Sequence, residues 1–311
     1  KLPLFRVVSG VLNSDSSVYN ATKGCKERIG QILKIEGKSQ KAFNPAIAGD
    51  IAASTVLFEK ALRPFAGLPC HKLLVAGNHD IWVDSPASIQ QGIHSGVKYD
   101  EIIPGICERN GFAFLGAAPR VIEGMGFAGT IGWYDYSLRN KSYDGTFSLD
   151  TYRAKHYGER FTWNDLKFAR CMDDGGRRMK SDEEVAGVME ASLGKQLVQL
   201  TQQGITRNVV VTHHVPFREM ILYPNLLPFD FFSAYMGSEG LGAVIASHPT
   251  VCQVICGHSH IKSSVAMDRF TAMKSPLGYY REWRTANRAQ LLKERLACVE
   301  ITPSGNAPAN E

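Results

Sequence analysis

The stretch Leu73-Leu-Val-Ala-Gly-Asn-His-Asp80 constrains the chain more than any other. Its apolar run, Leu73–Ala76, has no polar alternation, which predicts a strand covered on both faces, as in a parallel sheet with crossover helices. The strand stops on a glycine. An amide, an imidazole and a carboxylate follow at once. In open α/β sheets the carboxyl edge of the strands is where ligands bind. Taken alone, Gly-Asn-His-Asp is equally well explained as a polar turn after a strand. The rest of the chain decides.

Three other segments have the same form. Pro45-Ala-Ile-Ala-Gly-Asp50 is a short strand that ends on glycine and a carboxylate. Asn208-Val-Val-Val-Thr-His-His214 ends on two histidines, and Val251-Cys-Gln-Val-Ile-Cys-Gly-His-Ser-His260 ends on Gly-His-x-His. Asp, Asn and His without thiolate form a donor set for a hard-to-borderline divalent metal. His258 and His260 stand two apart, so in an extended chain they point the same way. Each could face a different ion of a pair roughly 3.5–4 Å apart, the usual spacing of two-metal hydrolytic sites.

The order Gly-Asp, Gly-Asn-His-Asp, His-His-x-Pro, Gly-His-x-His resembles the calcineurin-like metallophosphoesterases, over a span from about Phe5 to about His260. Each motif alone is weak, and the ordered set is specific. The resemblance implies two divalent ions (Mn, Fe, Zn or similar). Asp50 would bridge them. Asn78, His213 (rather than His214) and His258 would bind the second, and His260 the first. His79 would protonate the leaving group or stabilise the transferring phosphoryl. Asp80 would orient His79, as carboxylates commonly do for histidines. The implied reaction is phosphoester hydrolysis, as a phosphatase or phosphodiesterase, with a metal-bound hydroxide as nucleophile and a small phosphorylated substrate.

One part of the family pattern is absent. The opening strand, Phe5–Ser9, should lead into Asp-x-His, but Gly10, Val11 and Leu12 stand there, and Asp15 is displaced with no histidine two residues on. The first ion is then left with only Asp50 and His260. Two accounts stand: a family member that has lost one corner of its site, or a sequence with a few residues missing after Ser9. The intact remaining motifs favour the second. The alternative function is a one-metal or inactive member that binds metal or phosphate without turnover.

At 311 residues, with 44% hydrophobic and 21% charged, the chain is ordinary for a soluble globular protein and long enough for a sizeable core. The net charge of +5 is mild and spread along the chain. Gly175-Gly-Arg-Arg-Met-Lys180 is the densest basic run, and acidic Asp182, Glu183 and Glu184 follow it, so a nucleic-acid partner is not expected. The seven cysteines are an odd number without a tight pairing pattern. That suggests a reducing compartment. With no signal peptide and no apolar run of membrane length, the expectation is cytoplasmic and without a membrane partner.

The chain alternates strand and helix to residue 76. Helices are expected at about Ala21–Ile35 and at about Ala52–Leu62, the latter stopping at Pro64. A broken helical pattern over 84–111 contains Pro104. Ala113–Leu115, Arg120–Ile122 and Phe127–Ile131 are expected strands of a second sheet. The aromatic cluster Gly132-Trp-Tyr-Asp-Tyr136 suits either a pocket wall or the core. Residues 137–180 are read as an insertion that caps the site, and 218–235 as a second pocket wall. Ser181-Asp-Glu-Glu184 is a capping box that opens a helix ending at Gly204. Strands are expected at Ser263–Met267, Arg269–Met273 and Leu296–Thr302, then a disordered tail, Pro303–Glu311. Trp133, Tyr134, Arg218 and Arg281 are candidate substrate contacts, with a solvated surface arginine the competing reading of Arg281.

The fold expected is α/β, a four-layer α/β/β/α sandwich of two mixed sheets with flanking helices, in one domain over 1–302. The alternation of elements supports α/β. The two-sheet detail comes from the resemblance.

Overall fold

The computed structural model describes the strands at 17–20, 25–28, 34–36 and 39–41, and residues 44–83, 85–173, 176–279 and 294–301. The expected strand Phe5–Ser9, the Gly10–Leu12 segment, Asp15, Arg281 and the tail from Pro303 lie outside these residues.

The first elements are two antiparallel pairs. One is β1 (Ser17–Asn20) with β2 (Cys25–Arg28), the other β3 (Lys34–Glu36) with β4 (Ser39–Lys41). The helix expected over Ala21–Ile35 is therefore not formed. Its apolar spacing is helical, but Gly24 and Gly30 fall in its interior. Each interior glycine costs a helix about 1 kcal/mol.

Next come β5 (Ala46–Ala48), α1 (Thr55–Ala66) and β6 (Lys72–Val75). Helix α1 runs through Pro64 instead of stopping before it. Pro64 lies in the last turn, where its missing N–H removes only one bond. After α2 (Pro86–Gln90), one continuous helical segment holds α3 (Ser95–Val97), a π turn (Lys98–Ile102) and α4 (Ile103–Arg109). Pro104 directly follows the π turn, where the regular hydrogen-bond ladder of the helix is already interrupted. Strand β7 (Phe112–Phe114) pairs in parallel with β6. It completes the sheet β5-β6-β7 and does not begin the second one, because a helix crosses over between β6 and β7.

The second sheet begins with the hairpin of β8 (Arg120–Ile122) and β9 (Met125–Thr130). Glu123 and Gly124 between them both take positive φ, +50° and +79°, as a twist-matched two-residue turn requires. Short elements follow: α5 (Leu149–Arg153), β10 (His156–Tyr157), β11 (Phe161–Thr162) and α6 (Asp165–Phe168). Helix α7 (Asp182–Gln202) opens on the expected capping box. Ser181 Oγ accepts from Glu184 N at 3.2 Å, and Ser181 N donates to Glu184 Oε2 at 2.7 Å. Then come β12 (Asn208–Thr212), α8 (Phe229–Phe232), α9 (Glu239–Ser247), β13 (Val251–Cys256), β14 (Ser263–Ala266) and β15 (Thr271–Lys274). The order in the second sheet is β14-β15-β13-β12-β9-β8. The run expected as a strand from Leu296 pairs with no described strand and is irregular.

The buried side chains explain how the sheets are covered. Leu74 and Ala76 share a cluster with Phe58 and Leu62 of α1 and Ile103 and Ile106 of α4. Leu73 and Val75 point to the opposite face and share a cluster with Val209 and Val211 of β12. Val210 and Val254 meet Leu193, Leu197 and Leu200 of α7 and Leu241 and Ile245 of α9. The unbroken apolar run at 73–76 is thus used on both faces. Among the described residues, no helix is long and apolar enough to cross a membrane.

Strand β8 pairs only with Met125–Phe127, so the rest of β9 needs other partners on that side. Gln196 of α7 supplies them. Its Oε1 accepts from Gly129 N at 3.0 Å, and its Nε2 donates to Gly129 O at 2.9 Å and Leu115 O at 3.0 Å. Truncation of this buried amide strands all three backbone groups. Gln196→Ala is therefore expected to lower unfolding stability by roughly 2–5 kcal/mol, measured by urea denaturation, with the α/β circular dichroism retained.

Candidate metal centre

Strand β5 is parallel to β6 in the first sheet and β12 is parallel to β13 in the second, and the carboxyl ends of the two sheets meet where His213, after β12, reaches the Ala48 carbonyl of β5 at 2.8 Å. They meet closely because of glycine. A Cβ on Gly77 would lie 2.2 Å from Asp50 Oδ1, and one on Gly49 would lie 2.5 Å from both Gly77 N and His213 Nδ1. Only glycine lets the two strand ends touch. Asp50 and His258 themselves sit at φ +58° and +63°, a left-handed backbone that costs a non-glycine residue about 1–2 kcal/mol. Such strain clusters at functional sites.

The side chains gathered there are Asp50, Asn78, His213 and His258. One ligand atom from each of Asp50, His213 and His258 lies within 4.8 Å of the others. His213 Nε2 stands 3.0 Å from His258 Nδ1, 3.1 Å from Asn78 Oδ1 and 3.4 Å from Asp50 Oδ1. The protons of both rings are accounted for elsewhere. His213 Nδ1 faces the Ala48 carbonyl at 2.8 Å, and His258 Nε2 faces the Tyr235 carbonyl at 3.2 Å. A carbonyl can only accept, so each ring's N–H points outward. Burial holds both histidines below the ordinary range, His258 well below, so each carries that one proton. The Asn78 amide donates its Nδ2 to Asp165 Oδ1 at 2.9 Å, which leaves Oδ1 facing inward. Two imidazole lone pairs, an amide oxygen and a carboxylate oxygen therefore converge with no ring or side-chain amide hydrogen between them, while Asp50 Oδ1 also accepts the His79 backbone N–H at 3.1 Å. Such an arrangement is repulsive until a cation enters, and this donor set fits a divalent metal.

Asp80 is 1% exposed and does not bond His79. The expected orienting role is corrected here. Its Oδ1 accepts from Ile51 N at 2.7 Å and Ala52 N at 2.8 Å, and its Oδ2 from Gly77 N at 2.7 Å. The carboxylate ties the turn after β5 to the turn after β6. Burial pushes its pKa up to about 7, with Asp50 adding to the rise and the amide bonds opposing it. Burial likewise raises Asp50, and the neighbouring His79 pulls it back. His79 is held by other means. Its backbone N–H donates to Asp50 Oδ1 at 3.1 Å, and its ring stacks on Trp82 at 3.8 Å and 23°. Burial lowers the His79 pKa, against the pull of Asp50.

His260 stands outside the Asp50–His213–His258 group. Its ring packs on Tyr279 at 4.4 Å, and Tyr279 lies 6.3 Å from His79. His214 is fully buried behind the centre, with Nδ1 on the Ile131 carbonyl at 3.0 Å and its ring 4.4 Å from that of His258.

The candidate substrate contacts are placed differently from expectation. Trp133 and Tyr134 are 2% and 0% exposed, so they belong to the core. Trp133 Nε1 bonds Asp182 at 2.8 Å and Tyr134 hydroxyl bonds Asp165 at 3.1 Å. Five closely spaced residues, Gly132–Tyr136, have no period that separates a wall from a core. The Arg218 guanidinium is spent on Glu239, Tyr223 and the carbonyls of Ser137 and Arg139. It braces the 218–235 loop against the preceding segment. Sequence reasoning missed Asp165. Its only signal is a carboxylate two residues after Trp163 within an aromatic, aperiodic segment.

No family model matches the chain. Among solved structures, a phosphopantetheinyl hydrolase from Mycobacterium tuberculosis is similar over 80% of this chain and 83% of its own, at 20% identity and a TM-score of 0.63. A dimetal phosphatase from Danio rerio matches over 74% of this chain and 71% of its own, at 16% identity and a TM-score of 0.38. The first likeness establishes a shared α/β fold, in agreement with the resemblance carried by the four strand-end motifs.

The Asp80 clamp has a direct test. Asp80→Asn replaces an acceptor with a donor that faces backbone N–H groups. The expected cost is roughly 1–3 kcal/mol in urea unfolding, together with weaker binding of a divalent ion by calorimetry, because both turns lose their shared anchor.

Proposed function

We propose that this chain, with the α/β fold of the metallophosphoesterases, is a metal-dependent phosphoester hydrolase acting on a small phosphorylated substrate. The observation that carries the reading is the inward convergence of Asp50, Asn78, His213 and His258, with the ring protons of both histidines and the amide hydrogen of Asn78 turned outward. These four residues would hold a divalent ion, and Asp50 with His260 would contribute to a second. A bound ion of this kind polarises a phosphoryl oxygen and lowers the pKa of water. The chain's own residues supply position and proton handling. His79 follows Asn78 directly, and Trp82 fixes the face of its ring. In this reading it gives a proton to the leaving oxygen or holds the transferring phosphoryl. The hydrolase described for the similar mycobacterial structure supports the phosphoester class.

A single-ion protein is the second reading. It is favoured by the composition of the Asp50–His213–His258 group, which leaves out His260 among the described residues. Metal content by mass spectrometry separates the two readings, as two ions per chain or one.

Manganese-loaded protein is expected to hydrolyse p-nitrophenyl phosphate or its bis ester, and a chelator should stop the reaction. No turnover of either ester by the loaded protein would overturn the hydrolase reading. His79→Ala is expected to lower turnover by about 10²–10⁴-fold, the usual contribution of a general acid, with metal content unchanged. Loss of metal in that variant would make His79 a ligand instead.

A further inference from the structure

The carboxylate of Asp165, at the start of α6, lies outside every motif that the sequence singles out. It is 1% exposed. Its Oδ1 accepts from Asn78 Nδ2 at 2.9 Å and Trp82 Nε1 at 2.6 Å, and its Oδ2 accepts from Trp163 Nε1 at 2.7 Å and Tyr134 hydroxyl at 3.1 Å. All of these donors are neutral. A buried carboxylate held by neutral donors is costly unless a cation lies near. The candidate metal locus is one amide away, on the far side of Asn78.

The Asn78 amide has two nearly isosteric ends. Turned one way, its oxygen joins the lone pairs of His213 and His258. Turned the other way, its NH₂ enters the centre and opposes a cation. Nothing in the shape of the residue decides between them. The bond to Asp165 does, because a carboxylate accepts and does not donate. The same carboxylate holds Trp82, on which His79 is stacked.

We infer that Asp165 is a positioning residue of this centre: it sets the Asn78 amide with its oxygen toward the cation, and through Trp82 it fixes the face on which His79 lies. It reaches the centre from the 137–180 insertion, so seating of that segment and binding of the ion are coupled. Whatever factor one contributes to the other is returned in full. The inference rests on the metal reading given above.

The test is calorimetric titration of the full-length, metal-stripped protein with Mn²⁺, beside its melting temperature without metal. Asp165→Asn keeps the volume but loses acceptors and lets the Asn78 amide turn. The expected loss of ion affinity is about 10–100-fold, as for other residues that orient a metal ligand. The double variant Asn78→Asp/Asp165→Asn exchanges donor and acceptor between the two positions. It should bind Mn²⁺ at least about tenfold more tightly than Asp165→Asn alone, within that same range. A merely structural role would lower the melting temperature of both variants without moving ion affinity. Unchanged affinity in Asp165→Asn, or no recovery in the double variant, overturns the inference. If Asp165→Asn does not fold, the double variant is compared with Asn78→Asp alone, which sets two carboxylates face to face. Tighter binding by the double supports the inference, and equal binding overturns it. Failure of the unaltered protein to bind Mn²⁺ or another divalent ion sinks the hydrolase reading itself. Binding that Asp165→Asn leaves untouched sinks only the role given to Asp165.

Discussion

Three backbone N–H groups from two strand ends converge on the carboxylate of Asp80. The geometry of the centre depends on this clamp. Asp50 follows β5 and Asn78 follows β6, so neither could be placed to better than the slack of its own turn without a tie between them. The tie is made by a group with no freedom left, since both of its oxygens are engaged and it is buried. Glycines at 49 and 77 let the turns approach within bonding range of it. A side chain that the motif pattern suggests as a partner of His79 therefore serves the backbone. His79 is steadied instead by an aromatic face and a single N–H bond to Asp50.

Around the centre, hydrogens are sorted by direction. Ala48 and Tyr235 carbonyls take the ring protons of His213 and His258, and Asp165 takes the amide hydrogen of Asn78. Each outer acceptor leaves an inner lone pair. The outer partners belong to separate parts of the chain: β5, the 218–235 loop and α6. The price in backbone strain is visible at Asp50 and His258, both left-handed. A chain that spends stability in this way gains a ready concentration of negative potential at one sheet edge, where a divalent ion would offset the repulsion.

Much of this was legible in the sequence, for definable reasons. Buried strands that end on polar residues are visible because an apolar run and its terminus are local. That is how Asp50, Asn78, His213 and His258 could be named together before any geometry, and the capping box at Ser181 was equally local. Errors came where a local signal has two physical solutions. The stripe over Ala21–Ile35 has helical spacing, yet Cys25–Arg28 and Lys34–Glu36 are strands. Ala113–Leu115 reads as a strand, but the sheet joined by the strand formed there, Phe112–Phe114, is decided by the crossover helix before it. Trp133 and Tyr134 are large and amphipathic, which suits a wall or a core, and their N–H and O–H groups found buried carboxylates.

The 137–180 segment was hardest to read because it contributes through single hydrogen bonds and not through a periodic face. Its elements are four residues or so in length at most points, too short to carry a stripe. What it contributes is one aspartate in an aromatic surround. Trp82, Trp163 and Tyr134 each bring an apolar body and a single polar hydrogen. Their bodies exclude water from Asp165, and their hydrogens satisfy it. A carboxylate so enclosed cannot turn to solvent for compensation. Its remaining route is through the Asn78 amide toward the cation that the four converging lone pairs would hold. The least periodic part of the chain and its most periodic part, the strand ends, are thus joined at one side chain.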